Sequence, residues 1–167
     1  MRFWIPTIAL AAVTVLVLLA MRRAWRRREE TTTAEVGELP AVPVETGAAL
    51  TGAFEATYVG STRSGRWLER LTGQGLGVRA HGTVQLFETG LLVVREGAAD
   101  LFLPARTIDG ARLDRGLAGE VSDPRRLLVV TWRAGTDIDS GFLLRSQDHA
   151  QQLVSALTGA VQEKEAG

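Results

Sequence analysis

Two histidines, two neighbouring aspartates, a glycine-rich pentapeptide and a run of arginines are the residues in this chain whose types and spacing could do chemistry. His81 and His149 could act as bases or metal ligands, but neither has partner residues nearby in sequence of the kind such work needs. His81 falls on the polar face of an expected strand and His149 in the first turn of an expected helix, so both read as surface residues. Asp137 and Asp139 share one strand face beside a turn. Two carboxylates are too few oxygen donors for a divalent cation, and they read as solvated hairpin charge. Gly73-Gln-Gly-Leu-Gly77 lacks the lysine and hydroxyl of a phosphate-binding P-loop and opens no convincing helix. Cysteine is absent, which removes disulfides and thiolate metal sites. With no Gly-x-Ser-x-Gly and no His-Glu-x-x-His either, the expectation is a protein that is not an enzyme, with no catalytic residue, metal site or cofactor.

The arginines carry more information. Arg22, Arg23, Arg26, Arg27 and Arg28, with Trp25 among them, directly follow Phe3–Met21, a stretch with no charge and no glycine. At about 1.5 Å per residue such a stretch makes a helix of roughly 28 Å, close to the hydrocarbon thickness of a bilayer. Trp4 and Trp25 bracket it where amphipathic rings favour the interface. Only Arg2 precedes it. Basic residues flanking a span are retained on the cytoplasmic side, so the amino terminus is expected outside and the remainder of the chain inside. A cleaved signal peptide would put its basic block before the apolar run and a small-x-small site after it, the reverse of this pattern. The block also invites a second use, contact with anionic lipid headgroups.

Charge is segregated along the chain although the total is zero. Residues 1–28 hold six arginines and no acid, residues 29–50 five glutamates and no base, and the rest is close to neutral. A near-neutral domain argues against nucleic acid as a partner. The organisation expected is an anchor with its arginine block over 1–28, an acidic Pro/Gly/Thr linker over 29–50, a domain over 51–161, and a disordered tail over 162–167.

Within 51–161 the pattern predicts strands and one helix. The first strand covers 51–59, a loop 60–65, and one or two helical turns 66–71, where Trp67, Leu68 and Leu71 recur at helical spacing. Alternation over 78–87 places Ala80, Gly82, Val84 and Leu86 on one face. Further strands follow at 91–95, 100–103, 108–115, 126–133 and 138–145, with a long loop across 116–124. Ser146 is placed to cap a closing helix, with Asp148 in its first turn. Its apolar stripe is Ala150, Leu153, Val154, Leu157 and Val161, and Gly159 is expected to fray or end it.

Seven strands followed by one amphipathic helix resemble the pleckstrin-homology-like (PH-like) fold. The stretches that carry the resemblance are Tyr58-Val59-Gly60, Trp67-Leu68, Gly75-Leu76-Gly77-Val78, Leu127 to Trp132 and Gly141-Phe142. The resemblance implies a mainly β protein, a split barrel of about seven antiparallel strands capped by a C-terminal α-helix. The whole chain resembles bacterial single-pass membrane proteins with a cytosolic PH-like domain. The inositide-binding members use a lysine-and-arginine pattern across the first two strands. Here only Arg63, Arg66 and Arg79 lie near, without lysine, so phosphoinositide binding is not implied.

The expected function is therefore a non-catalytic interaction or scaffold module held at the inner face of the cytoplasmic membrane, with a protein partner. Two alternatives stand beside it: a sensor of anionic lipid using the arginine block together with Arg63, Arg66 and Arg79, and an accessory subunit of a membrane transport complex.

Overall fold

A computed structural model describes residues 4–166, and their side chains except at positions 5, 6, 28, 29, 120 and 164–166. Helix α1 (Trp4–Val36) opens the chain. Strands β1 (Phe54–Arg63), β2 (Ala80–Phe87), β3 (Gly90–Arg95), β4 (Leu101–Pro104) and β5 (Ile108–Leu113) follow. A two-strand hairpin, β6 (Gly116–Leu117) and β7 (Glu120–Val121), precedes the long strands β8 (Leu127–Ala134) and β9 (Thr136–Leu144). Helix α2 (Gln147–Ala166) closes the domain.

The seven longer strands form one antiparallel sheet in the order β4-β3-β2-β1-β9-β8-β5. Strand β1 is where it divides. Phe54–Tyr58 pairs with β2 on one side, while Ala56–Arg63 pairs with β9 on the other, with a bulge between Tyr58 and Gly60. The first strand thus belongs to both halves of a split barrel, as the PH-like topology requires. Its core is the inward set of alternating residues, including Tyr58, Val84, Leu86, Leu128, Val130, Trp132, Ile138 and Phe142. Leu127 and Val129 face outward yet are buried, because the β6–β7 hairpin brings Leu117 and Ala118 over them.

Helix α2 attaches by the stripe its sequence announces. Ala150, Leu153 and Leu157 are fully buried against the barrel, with Val154 and Val161 partly covered. The Ser146 hydroxyl accepts the His149 amide N–H at 3.2 Å and caps the first turn. Gly159 does not end the helix, which continues through the stretch expected as a tail to Ala166.

Four local expectations change. Residues 29–36 continue α1 instead of starting a linker. Extending a helix already nucleated costs little per residue, so Thr31–Thr33 do not break it. Termination waits for Gly37, whose φ of 72° suits the left-handed position after a helix, and whose N–H donates to the Thr33 carbonyl at 3.0 Å. Second, β1 runs on through the expected loop to Arg63 because β9 pairs it that far. Third, residues 66–71 form turns and no helix. Leu71 is buried, but Trp67 (47% exposed) and Leu68 (65%) lie outside, so no common apolar face holds a helix. A single 3-10 turn, Gly73–Gly75, follows instead. Fourth, residues 116–121 are the β6–β7 hairpin and not open loop.

Candidate functional site at the junction of helix and barrel

The residues singled out for chemistry are scattered. His81 meets Thr57 across the sheet, Oγ1 to Nδ1 3.0 Å, on an exposed face. His149 stacks on Phe54 with ring centroids 4.4 Å apart. Among the described residues no group of three or more His, Asp or Glu is placed to hold a metal ion.

The aspartates separate in role. Asp137 meets the exposed Arg133, whereas Asp139 is only 2% exposed, a correction to its reading as solvated charge. Burial alone would raise the Asp139 carboxyl. Donation from Arg112 at 2.9 Å and from the Thr131 hydroxyl at 2.6 Å outweighs it and holds the group below its ordinary value. Asp139 lies on the outer face of β9, opposite that of Ile138 and Ser140, and is buried there under Arg112 of β5 and beside Thr131 of β8, a register the sequence does not print.

Gly73–Gly77 has a structural task. Here the C-terminal end of α1 meets the barrel. A Cβ on Gly73 would stand 2.6 Å from Thr33 Oγ1 and 2.8 Å from its amide nitrogen; one on Gly135 would stand 2.5 Å from the Glu35 carbonyl oxygen. Only glycine admits so close an approach. Between them Val36 enters the core at 1% exposure. Gln74 clamps the chain as it leaves α1: its side-chain N–H donates to the Gly37 carbonyl, and its Oε1 accepts the Leu39 amide at 3.2 Å.

Arg63, at the end of β1, completes the junction. Its guanidinium forks onto both carboxylate oxygens of Glu35, with Nε to Oε1 at 2.7 Å, and also donates to Glu69 at 2.8 Å. The hydrogen bond from Arg63 holds the Glu35 carboxyl below its ordinary value against the opposing effect of burial. Arg63 and Arg66 lower Glu69 in the same way. Both carboxylates raise Arg63.

A buried chain of hydrogen bonds ties this junction to the middle of the barrel. The Tyr58 hydroxyl donates to the Leu76 carbonyl at 2.8 Å, so Ser61 must donate to Tyr58 (2.7 Å) and Ser140 to Ser61 (2.6 Å). Trp132 Nε1 donates to Ser140 at 2.9 Å. Every hydroxyl proton is used once, in a single direction. Burial pushes the Tyr58 phenol up to about 12, so it stays protonated and the chain stays intact at any ordinary pH.

Of the arginines expected at an interface, Arg22, Arg23, Arg26 and Arg27 are exposed on α1, as is Trp25 at 74%; the side chain of Arg28 lies outside the described ones. Arg2 and Phe3 also lie outside the described residues. Arg79 is exposed on the approach to β2, apart from this cluster. Arg27 and Arg63 come together in an open groove of about 610 Å³ between α1 and the 63–72 segment, whose walls also include Thr31, Leu68, Glu69, Arg70 and Thr72. Arg70, Glu35 and Gln74 are not singled out as site residues by the sequence, and Leu68 is read there only as part of a packed turn. The adjacent glycines of 73–77 were the visible trace of this junction, but a close approach cannot be told from a flexible loop by composition alone.

The sheet order, the strand shared between halves and the closing helix are those of the PH-like fold, and the chain matches the bacterial PH domain-like family over residues 36–158. The chain belongs to that family. The match opens at Val36, the residue that carries α1 into the core, rather than at 51. No curated protein matches the chain. In this PH-like protein, α1 holds one segment long and apolar enough to cross a membrane, fully exposed on the surface of the molecule.

Proposed function

We propose that this PH-like protein is a single-pass protein of the bacterial cytoplasmic membrane and that its barrel works as a non-catalytic interaction module on the inner face. One observation carries the reading. A single helix runs from fully exposed apolar turns, Ile8 to Met21, into the barrel core at Val36. Apolar side chains left uncovered over so long a stretch are strongly unfavourable in water and favourable in lipid. The five arginines after the span set its direction, with the barrel in the cytoplasm.

The interaction role rests on the sheet. β4 and β5 end the seven-stranded order, and edge strands are where partner chains add by backbone pairing. Carbonate extraction, together with a reporter fused after Gly167, tests the placement: the protein is expected to stay in the membrane pellet, with the reporter active only inside. Release into the supernatant, or a reporter active only outside, overturns it. Crosslinking of the full chain in cells is expected to capture a recurring partner through β4 or β5. Adducts spread evenly over the surface remove the interaction role.

A further inference from the structure

We propose that the groove between α1 and the 63–72 segment is a phospholipid site, taking the phosphate of an anionic lipid from the bilayer that α1 crosses. The site rests on the anchoring described above and adds a ligand to it. Height is the first argument. Arg27 lies six residues beyond Met21, about 9 Å along the helix, where the headgroup layer gives way to water. Because α1 is continuous to Val36 and clamped there, the groove is held at that height and does not swing on a tether.

Charge is the second argument. Among the described residues, Arg27, Arg63 and Arg70 line the groove with Glu69, and Arg63 and Arg66 pair with Glu35 and Glu69, so these four arginines exceed the two carboxylates by two formal charges. Both carboxylates are taken by Arg63 and Arg66. Arg70 is fixed by donating to the Gly77 and Ala118 carbonyls at 3.0 and 2.9 Å, which places its cation without neutralising it. Among the described residues no carboxylate pairs with Arg27. A planar guanidinium with free donors is suited to a phosphate diester.

The third argument is the rim. Leu68, 65% exposed, forms the groove wall beside Arg27. Trp67, next to it in sequence, lines a second hollow with Arg112, Arg115 and Val121, the last 78% exposed. An indole and aliphatic groups beside arginines make an interfacial surface, apolar towards the acyl chains and cationic towards the phosphate. The groove exists only where α1 and barrel meet, so a barrel cut free of its helix lacks it.

The test uses the full chain in nanodiscs of phosphatidylcholine alone or mixed with phosphatidylglycerol, with retained lipid counted by native mass spectrometry after mild detergent release. Phosphatidylglycerol is expected to be retained over phosphatidylcholine. Arg27→Gln is expected to lower that retention about five-fold, the effect of one basic residue near an anionic surface. Leu68→Ser lowers it less, and Arg145→Gln, an equal charge change away from the groove, leaves it unchanged. Equal retention of both lipids, or retention indifferent to Arg27→Gln, overturns the site while leaving the anchor intact. Inorganic phosphate that binds in phosphatidylcholine discs, and does so only when Arg27 is present, reassigns the groove to a soluble anion and overturns the lipid. A chain that does not enter the discs overturns the anchoring and the site with it.

Discussion

The two helices are fastened to the same barrel by different physics. Helix α2 is held by apolar burial, with Ala150, Leu153 and Leu157 at 1% exposure or less. Among its described residues helix α1 contributes one buried apolar side chain, Val36, and is otherwise held by the Glu35–Arg63 fork, the Gln74 clamp and close backbone contact at two glycines. Apolar burial is indifferent to pH and strengthened by many salts, while partly exposed ion pairs weaken in both acid and salt. The cap is therefore built to stay, and the junction to respond to conditions. Stability of the domain and attachment of α1 are separable properties.

The largest effect expected is at the cap. Leu153→Ala removes a fully buried side chain and should cost about 2–5 kcal/mol, read as a fall in Tm or in the denaturant midpoint. Ser140→Ala comes next. It leaves Trp132 Nε1 without its acceptor in a fully buried site and should cost about 1–3 kcal/mol. If Ser140→Ala destabilised as much as Leu153→Ala, the polar chain would rank with the cap and the contrast would narrow.

The junction variants should move attachment and not stability. Gly73→Ala puts a methyl group against the Thr33 backbone and is expected to speed amide exchange over 31–36 while the strands stay protected. Glu35→Gln is milder, since partly exposed ion pairs contribute at most about 1 kcal/mol. Its signature is an α1 docking that no longer depends on salt. Acid gives the smallest and sharpest effect. The folded Glu35 value lies below its ordinary 4.5, so its contribution is complete above 4.5 and is lost only as pH falls through the lowered value. Spin labels on α1 and β8 should keep their separation from neutral pH to about 4.5 and diverge below it. Divergence nearer pH 6 would show that another group governs the junction.

Much of the barrel was legible because its alternation is strict. Leu128, Val130 and Trp132 on β8, and Ile138, Ser140, Phe142 and Leu144 on β9, are buried as the period of two requires. The α2 stripe was legible for the corresponding helical reason. The junction was not. Thr31–Thr33 have poor helix propensity and stand before Gly37 and Pro40, a composition shared by linkers and by the last turn of a long helix. What decides between them is a contact with Gly73 and Gly135, some 40 and 100 positions away, which periodicity cannot carry. Asp139 shows the same limit, since its partner Arg112 sits on another strand. Trp67 and Leu68 misled in the opposite direction: their spacing with Leu71 suggested a packed turn, yet both point away from the core.

The unbroken helix from Trp4 to Val36 makes the barrel's facing a matter of phase. Each residue inserted between Met21 and Thr31 would turn the whole domain by about 100° around the helix axis and carry it about 1.5 Å farther from the apolar turns. Seven inserted residues would restore nearly the same facing at about 10 Å greater height. The length of α1 after its apolar turns is thus a dial for which side of the domain its neighbours meet.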